Sequence, residues 1–289
     1  MSESPAKIKR ERVWELDFIR GFCVLLMVFD HFMFDIAGIY GKAWYEYAAD
    51  SGASNAQFLY DFWQSARNYF FYSGLREVVE PFVVIVFCIV CGISCSFSKN
   101  NLKRGIEVLI CAILIFAVTS FLGEDMTIRF GVFQMFAVAI LSWCIIYYSC
   151  KRDMKKTAIV AGILGLIIVI INYILMSIYN NNNHAFTTDS NWYFIGQFMV
   201  GDSKSLPTAD YQPIFPYVGF MFIGSALGPF LYKNKKSLIP WLGKYDWHAP
   251  ISLWGKIALW VYISHQVVIA ILLSIISYLF LCPSSFVII

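Results

Sequence analysis

The sequence predicts an all-α fold: a polytopic transmembrane helix bundle of about seven spans with a cytoplasmic amino terminus. Three observations lead to this prediction. Hydrophobic residues make up 59% of the chain and charged residues only 14%, against roughly 25% charged residues in soluble domains. Apolar runs of membrane-spanning length recur along the chain, and Lys and Arg concentrate in alternate segments between them. These features exclude a soluble globular domain.

Seven apolar runs are the candidate spans, because each approaches the ~20 residues that a helix needs to cross the hydrocarbon core. They predict a single membrane-embedded domain over residues 1–289, with a basic tail at 1–12 and extracytoplasmic segments at 41–77 and 180–212. The predicted spans are 17–40, 78–97, 102–122, 128–150, 157–179, 213–232 and 257–281.

The charge of the connecting segments predicts the orientation. Basic residues occur in the tail and in alternate loops, whereas the intervening segments are acidic or neutral. By the positive-inside rule, the basic segments and the amino terminus face the cytoplasm. Short basic loops of this kind suit a lipid surface and do not indicate nucleic-acid binding. The basic residues are Lys7, Lys9, Arg10 and Arg12, then Lys99, Lys103 and Arg104, then Lys151, Arg152, Lys155 and Lys156, then Lys233, Lys235, Lys236 and Lys244.

The cysteines predict no metal site. Cys88, Cys91 and Cys95 follow helical spacing within one span, but no His or carboxylate joins them at zinc-ligand spacing. Cysteine packs as a small, polarizable residue in a helix core. We therefore expect the eight cysteines of the chain to be structural.

The first span carries five ionisable side chains, Asp17, Arg20, Asp30, His31 and Asp35. Such groups are costly at bilayer depth, so they usually face a bundle interior and serve transport or chemistry. Eleven steps of ~100° return a helix to nearly the same face, so Arg20 and His31 share one stripe, roughly 16 Å apart along the axis. The two side chains are therefore placed to hold opposite ends of one long ligand.

Other interpretations of these charges remain open. Arg20 at three-residue spacing can simply pair with Asp17, and His31 can pair with Asp35. Buried Asp, Arg and His groups also suit a proton or solute relay in a transporter, although no internal repeat supports that class. A sensor or assembly subunit without catalytic activity is the third alternative.

Three motifs carry a resemblance to a known family. They are Arg-Val-Trp-Glu-Leu-Asp-Phe-Ile-Arg-Gly at 12–21, Asp-Tyr-Gln-Pro-Ile-Phe-Pro-Tyr-Val-Gly at 210–219 and Ile-Ala-Leu-Trp-Val-Tyr-Ile-Ser-His-Gln at 257–266. In order and spacing they resemble the heparan-α-glucosaminide N-acetyltransferase catalytic-domain family, in its bacterial branch. The spacing of Arg20 and His31 is also similar to that of membrane acyltransferases that modify bacterial glycans.

The resemblance implies transfer of acetyl from cytoplasmic acetyl-CoA to an amino sugar or a sugar hydroxyl that is reached from the opposite face. Arg20 would hold a phosphate or the pantetheine amides of the donor. Asp17 and Gln134 are the other expected cofactor-binding residues. Asp30, Asp210 and Tyr211 are the expected contacts of the acceptor.

His31, Asp35 and His265 are the expected catalytic residues. His31 would act as the general base, Asp35 would accept from its ring, and His265 would donate to the thioester carbonyl or place the acceptor. Direct attack by the acceptor and transient acetylation of His31 both remain open. N- and O-acetylation are not distinguished.

Because the chain is compact and shows no lysosomal sorting extension, we expect a bacterial plasma membrane as the location. Glycines such as Gly162 and Gly165 permit close helix packing and leave a homodimer open.

Overall fold

A computed structural model describes residues 12–98, 100–121, 123–181 and 208–281. Within these ranges the regular structure is helical, and the isolated parallel bridge between Phe130 and Tyr211 belongs to no strand. The predicted all-α fold is confirmed. Residues 1–11 of the predicted tail and most of the segment 180–212 lie outside the described residues.

Ten α-helices are described. The first, α1, spans Trp14–Asp35, continues through a π-helical turn at Ile36–Tyr40 and runs on as α2. A second π-helical turn, Ser277–Leu281, follows the last helix. The others are α2 (Gly41–Asp50), α3 (Ala56–Tyr72), α4 (Gly74–Phe97), α5 (Asn101–Ser120), α6 (Val132–Ser149), α7 (Met154–Asn181), α8 (Tyr217–Leu231), α9 (Ala249–Lys256) and α10 (Ala258–Ile276).

Five segments are long and apolar enough to cross a membrane, so the chain is a multi-pass membrane protein. The other two predicted spans correspond to α5, which carries Lys103, Arg104 and Glu107, and to the shorter apolar helix α8. Seven spans and a cytoplasmic amino terminus remain predictions. The five segments are Trp14–Asp50, Gly74–Phe97, Val132–Ser149, Met154–Ile178 and Ala258–Leu279.

The first helix does not end near Tyr40, where the sequence pattern placed the end of the first span. Tyr40, Trp44 and Ala48 recur every four residues and are buried, which gives α2 an apolar face of its own. The hydroxyl of Tyr40 lies 2.8 Å from Ser274 Oγ, and Trp44 Nε1 donates to Ser277 Oγ at 2.7 Å. These bonds fasten α2 to the carboxyl end of α10.

Glycines let two pairs of helices cross in backbone contact. A Cβ at Gly21 of α1 would collide with the backbone of Ile251 in α9, and a Cβ at Gly255 of α9 would collide with the backbone of Asp17. Helix α4 packs along α8 in the same way through Gly92 and Gly224. Small residues at such crossings are typical of membrane helices. The α1–α9 crossing also brings the Arg20 side chain to the end of α9.

The glycines of α7 serve packing within the chain. A Cβ at Gly165 would lie 2.6 Å from the carbonyl oxygen of Gly219, and a Cβ at Gly162 would lie 3.0 Å from Ala226 Cβ, both in α8. Their spacing is therefore accounted for by the α7–α8 contact. It gives no support to a homodimer.

Candidate functional site

A cavity of about 1180 Å³, the basic cavity, lies beside the amino-terminal end of α1. The acidic residues in its lining are Asp17 and Glu107, so positive charge predominates. Much of the remaining lining is apolar or aromatic, including Phe87, Phe133 and Tyr262. Its cationic lining residues are Arg12, Arg20, Arg104, Lys235 and Lys256.

Arg20 is held in the wall of this cavity by three partners. Its Nη1 donates to Asp17 Oδ1 at 2.9 Å and to the carbonyl oxygen of Gly255 at 3.2 Å, and its Nη2 donates to Ser94 Oγ at 2.8 Å. Asp17 also pairs with Arg12 at 3.1 Å. The three-residue pairing of Arg20 with Asp17 is therefore present. Because both residues line the cavity, the pair also fixes the position of the guanidinium in its wall.

His31 and His265 form an edge-to-face pair, with ring centroids 4.8 Å apart and planes at 87°. His31 Nδ1 lies 2.9 Å from the carbonyl oxygen of Met27, and His265 Nδ1 lies 2.8 Å from that of Tyr262. A carbonyl oxygen only accepts, so each neutral ring carries its proton on Nδ1 and its lone pair on Nε2. The Nε2 atom of His265 is buried and has no hydrogen-bond partner among the described residues.

Asp35 contacts a different partner from the one expected. Its two carboxylate oxygens accept from Gln266 Nε2 at 2.8 and 2.9 Å, and its side chain is fully buried. The ring of His31 is instead bonded through Nδ1 to its own helix. The predicted hydrogen bond between His31 and Asp35 is therefore wrong. The π-helical turn that begins at Ile36 directly follows this carboxylate.

Asp30 is engaged by Arg76 of α4. Arg76 Nε and Nη2 donate to its two oxygens at 2.7 and 2.9 Å, and the Tyr69 hydroxyl donates to it at 3.3 Å. Arg76 also lies 3.4 Å from Glu80 and stacks on the ring of Phe70. Both oxygens of Asp30 are thus occupied, which leaves its predicted role as an acceptor contact without support from the geometry.

We expect Asp30→Asn to destabilise the protein by about 2 kcal/mol, because a bidentate, charge-assisted bond in a mostly buried site would be lost. Unfolding in detergent monitored by circular dichroism measures this effect. The matched control is Glu46→Gln, which breaks an exposed pair with Lys42 at 3.4 Å and should cost well under about 1 kcal/mol. Equal losses in the two variants would contradict the assignment of Asp30 to the ion pair.

Asp210 lies beside the amino terminus of α6. Its carboxylate accepts from the backbone amides of Val132 and Tyr211. Burial raises the pKa of the Asp210 carboxyl, although the charge of nearby His31 and these two hydrogen bonds oppose the rise. The segment that follows Asp210 is tied to the segment before α6, since Gln212 N donates to the carbonyl oxygen of Phe130 at 3.0 Å.

A second cavity of about 430 Å³, the outer cavity, lies next to this segment. Its lining is rich in carboxylate, hydroxyl and amide groups. Tyr211 lines it, as expected of an acceptor contact, whereas Asp210 is adjacent in sequence and is not in the lining. The lining residues are Glu80, Thr208, Ala209, Tyr211, Gln212, Pro213 and Tyr217.

Gln134 is part of the helix framework. Its Oε1 accepts from the backbone amide of Gly131 at 3.0 Å, and its Nε2 donates to the carbonyl oxygen of Ala112 at 3.3 Å. These bonds cap α6 and fasten it to α5. Gln134 is absent from the lining of the basic cavity, so the geometry does not support its predicted cofactor contact.

A series of aromatic rings connects the basic cavity to the histidine pair. Phe133 and Tyr262 both line the cavity and meet edge to face at 4.8 Å. The ring of Tyr262 lies 5.5 Å from that of His265, which in turn contacts His31. Tyr262 thus stands between the cavity and the histidines.

Five residues of this region were not among the predicted site residues: Ser94, Arg76, Glu80, Tyr262 and Gln266. For Arg76 and Glu80 a sequence signal was available, because charged residues in a membrane-spanning helix indicate function or pairing. Tyr262 and Gln266 lie in the motif at 257–266, next to the predicted His265. Ser94 carried no signal, since a serine in a helix bonds to its own backbone in most cases.

The fold and site define a multi-pass membrane protein in which a basic cavity leads toward a histidine pair, of which His265 is buried. The family described as "Heparan-alpha-glucosaminide N-acetyltransferase, catalytic" matches residues 12–49 and 53–267, and the chain belongs to this family. The predicted family is confirmed, and membership implies a membrane acetyltransferase. No curated protein and no solved structure matches the chain.

We expect Gln134→Ala to lower stability by about 1 kcal/mol through loss of the cap, with unchanged affinity for acetyl-CoA. Thermal unfolding and calorimetric titration of the same preparation measure the two quantities. A weaker affinity at unchanged stability would restore Gln134 to the role of a cofactor contact.

Proposed function

We propose that this protein transfers acetyl from acetyl-CoA, bound in the basic cavity, to a glycan or amino-sugar acceptor that approaches from the outer cavity. The observation that carries the proposal is the position of the histidine pair. The pair lies next to Tyr262, which lines the basic cavity, and His31 is close enough to Asp210 and Glu80, beside the outer cavity, to interact electrostatically with both.

The donor suits the basic cavity in its charge and in its mixture of polar and apolar groups. The phosphates of CoA carry several negative charges, and guanidinium groups bind phosphate through paired, planar donors. Arg12, Arg20 and Arg104 supply such groups, and Lys235 and Lys256 add point charges. The apolar lining suits the pantetheine arm, so the thioester end would approach Tyr262. With the predicted orientation, this cavity opens toward the cytoplasm, where acetyl-CoA is available.

His31 is the proposed general base. Its Nδ1 proton is donated to the carbonyl oxygen of Met27, so the lone pair on Nε2 is free to accept a proton. The acceptor amine or hydroxyl attacks the thioester carbonyl carbon while His31 takes its proton. The tetrahedral intermediate then collapses, the C–S bond breaks, and His31 returns the proton to the CoA sulfur.

The acceptor would lie on the side of the outer cavity. Glu80, Tyr211 and Gln212 offer carboxylate, hydroxyl and amide groups, which suit the hydroxyls or amine of a sugar. Because the linings of the two cavities have no residue in common, both substrates can be bound together. Direct attack is therefore favoured over an acetyl-histidine intermediate.

The test is acetyl transfer by the purified full-length protein in lipid nanodiscs. Acetyl-CoA labelled in the acetyl group is supplied with glucosamine, and in parallel with a sugar that has hydroxyls only; labelled product and released CoA thiol are measured. Labelled product with an equal amount of free thiol supports the proposal. If acetyl-CoA binds saturably but acetyl reaches neither acceptor, the proposed acceptor class is wrong. If the folded protein does not bind acetyl-CoA at all, the proposed function is refuted.

A further inference from the structure

Tyr262 belongs to the motif at 257–266 but has no part in the acid–base chemistry described above. Its side chain lines the basic cavity, with Phe133 on one side and His265 on the other. Its carbonyl oxygen accepts from His265 Nδ1. Within the part of the chain that the structure describes, its hydroxyl has no hydrogen-bond partner. An unpaired O–H donor is thus available at the wall that separates the donor from the histidines.

His265 cannot supply that donor in its neutral form. Its single N–H is on Nδ1 and is committed to the Tyr262 carbonyl, so its Nε2 offers only a lone pair. The expected donation from His265 to the thioester carbonyl therefore requires a second proton on a buried ring. Tyr262 needs no such change, because its phenol is a donor at neutral pH.

We infer that Tyr262 is a catalytic residue whose hydroxyl donates a hydrogen bond to the carbonyl oxygen of the bound thioester. This inference rests on the proposed function. As the acceptor's nitrogen or oxygen bonds to the carbonyl carbon, the C=O electron pair moves onto oxygen, and the phenol O–H stabilises the resulting negative charge. When the C=O bond re-forms, the C–S bond breaks and the sulfur takes the proton from His31. Tyr262 keeps its proton throughout.

The magnitude of the effect follows from what such donors contribute elsewhere. A preorganised donor in a site shielded from water stabilises the developing oxyanion more than the ground-state carbonyl. Loss of one such donor lowers kcat by about 10²–10³-fold. An interaction made mainly in the transition state changes kcat with little effect on donor affinity.

The test is Tyr262→Phe, which removes the hydroxyl and keeps the ring contacts with Phe133 and His265. We expect kcat to fall by about 10²-fold or more, while the Kd for acetyl-CoA and for the thioether S-ethyl-CoA, which lacks the carbonyl, stays within about threefold. The matched control is Tyr232→Phe, since Tyr232 is a buried tyrosine that lies outside both cavity linings. It should retain wild-type kcat.

The outcomes separate this inference from the proposed function. Wild-type kcat in folded Tyr262→Phe, or a rise in the Kd of both CoA compounds at unchanged kcat, overturns the inference and leaves the proposed function intact. Absence of acetyl-CoA binding by the folded wild type refutes both. Tyr262→Met is the second variant in case the phenylalanine variant unfolds. It must show the same loss of kcat at unchanged Kd, and wild-type kcat in that variant overturns the inference.

Discussion

His31→Ala should lower acetyl transfer by about 10²–10⁴-fold, because the variant loses the proposed general base. Acetyl-CoA should still bind, because His31 is not in the lining of the basic cavity. His265 cannot easily substitute for it: its Nε2 also carries a lone pair, but that atom is buried behind Tyr262. Single-turnover transfer of labelled acetyl measures the rate, and calorimetry on the same preparation measures the Kd of the donor.

His248→Ala is the control for this experiment. His248 stacks on Trp14 at 4.5 Å and contacts Ser252, and it lines neither cavity. Its loss should leave the transfer rate near that of the wild type. If His31→Ala also transfers acetyl at the wild-type rate, His31 is not the base, and the histidine pair has a packing role only.

Arg20→Ala should raise the Kd for acetyl-CoA by about 10–100-fold, the range expected when charged hydrogen bonds to a phosphate are lost. The substitution also leaves Asp17 with Arg12 as its remaining cationic partner, which adds negative potential to the cavity. Titration calorimetry at two salt concentrations measures the loss. The wild-type affinity should fall with added salt more steeply than that of the variant, because one fewer charge contact remains.

Arg67→Ala is the matched control, since Arg67 lies over the ring of Trp63 in α3, away from the basic cavity. It should leave the Kd unchanged. Arg20→Lys should recover part of the affinity, because a lysine keeps the charge but lacks the planar set of donors that reaches Ser94 and Gly255 together. Wild-type affinity in Arg20→Ala would remove Arg20 from the donor site.

Helical periodicity was sufficient to predict the features that depend on one segment. The membrane-spanning helices follow from apolar runs, because hydrophobic length alone decides which segments cross a bilayer. The pairing of Arg20 with Asp17 follows from three-residue spacing within α1. The approach of His31 to His265 was implied only by the family resemblance, since the two residues lie on different helices.

The partners of the other charges depend on tertiary packing that no local pattern encodes. Asp35 is bonded to Gln266 across more than two hundred residues, and Asp30 to Arg76 on a different helix. Within α1 alone, His31 is the nearest apparent partner of Asp35, and the prediction failed because helix-to-helix contacts decide which polar groups meet. The contacts of Gln134 depend on packing in the same way, because its side chain accepts from the free amide of Gly131 at the start of α6.

The unbroken helix from Trp14 to Asp35 makes the distance between Arg20 and His31 a fixed length, about 16 Å at 1.5 Å per residue. If Arg20 and His31 hold the proposed donor, helix α1 sets the length that its arm must span, and a thioester with a shorter arm would reach one end of the site and miss the other. One residue inserted between the two would also rotate them about 100° apart. The π-helical turn at Ile36–Tyr40 accommodates one additional residue just beyond α1. It therefore changes the register of α2 and leaves the spacing of Arg20 and His31 within α1 unchanged.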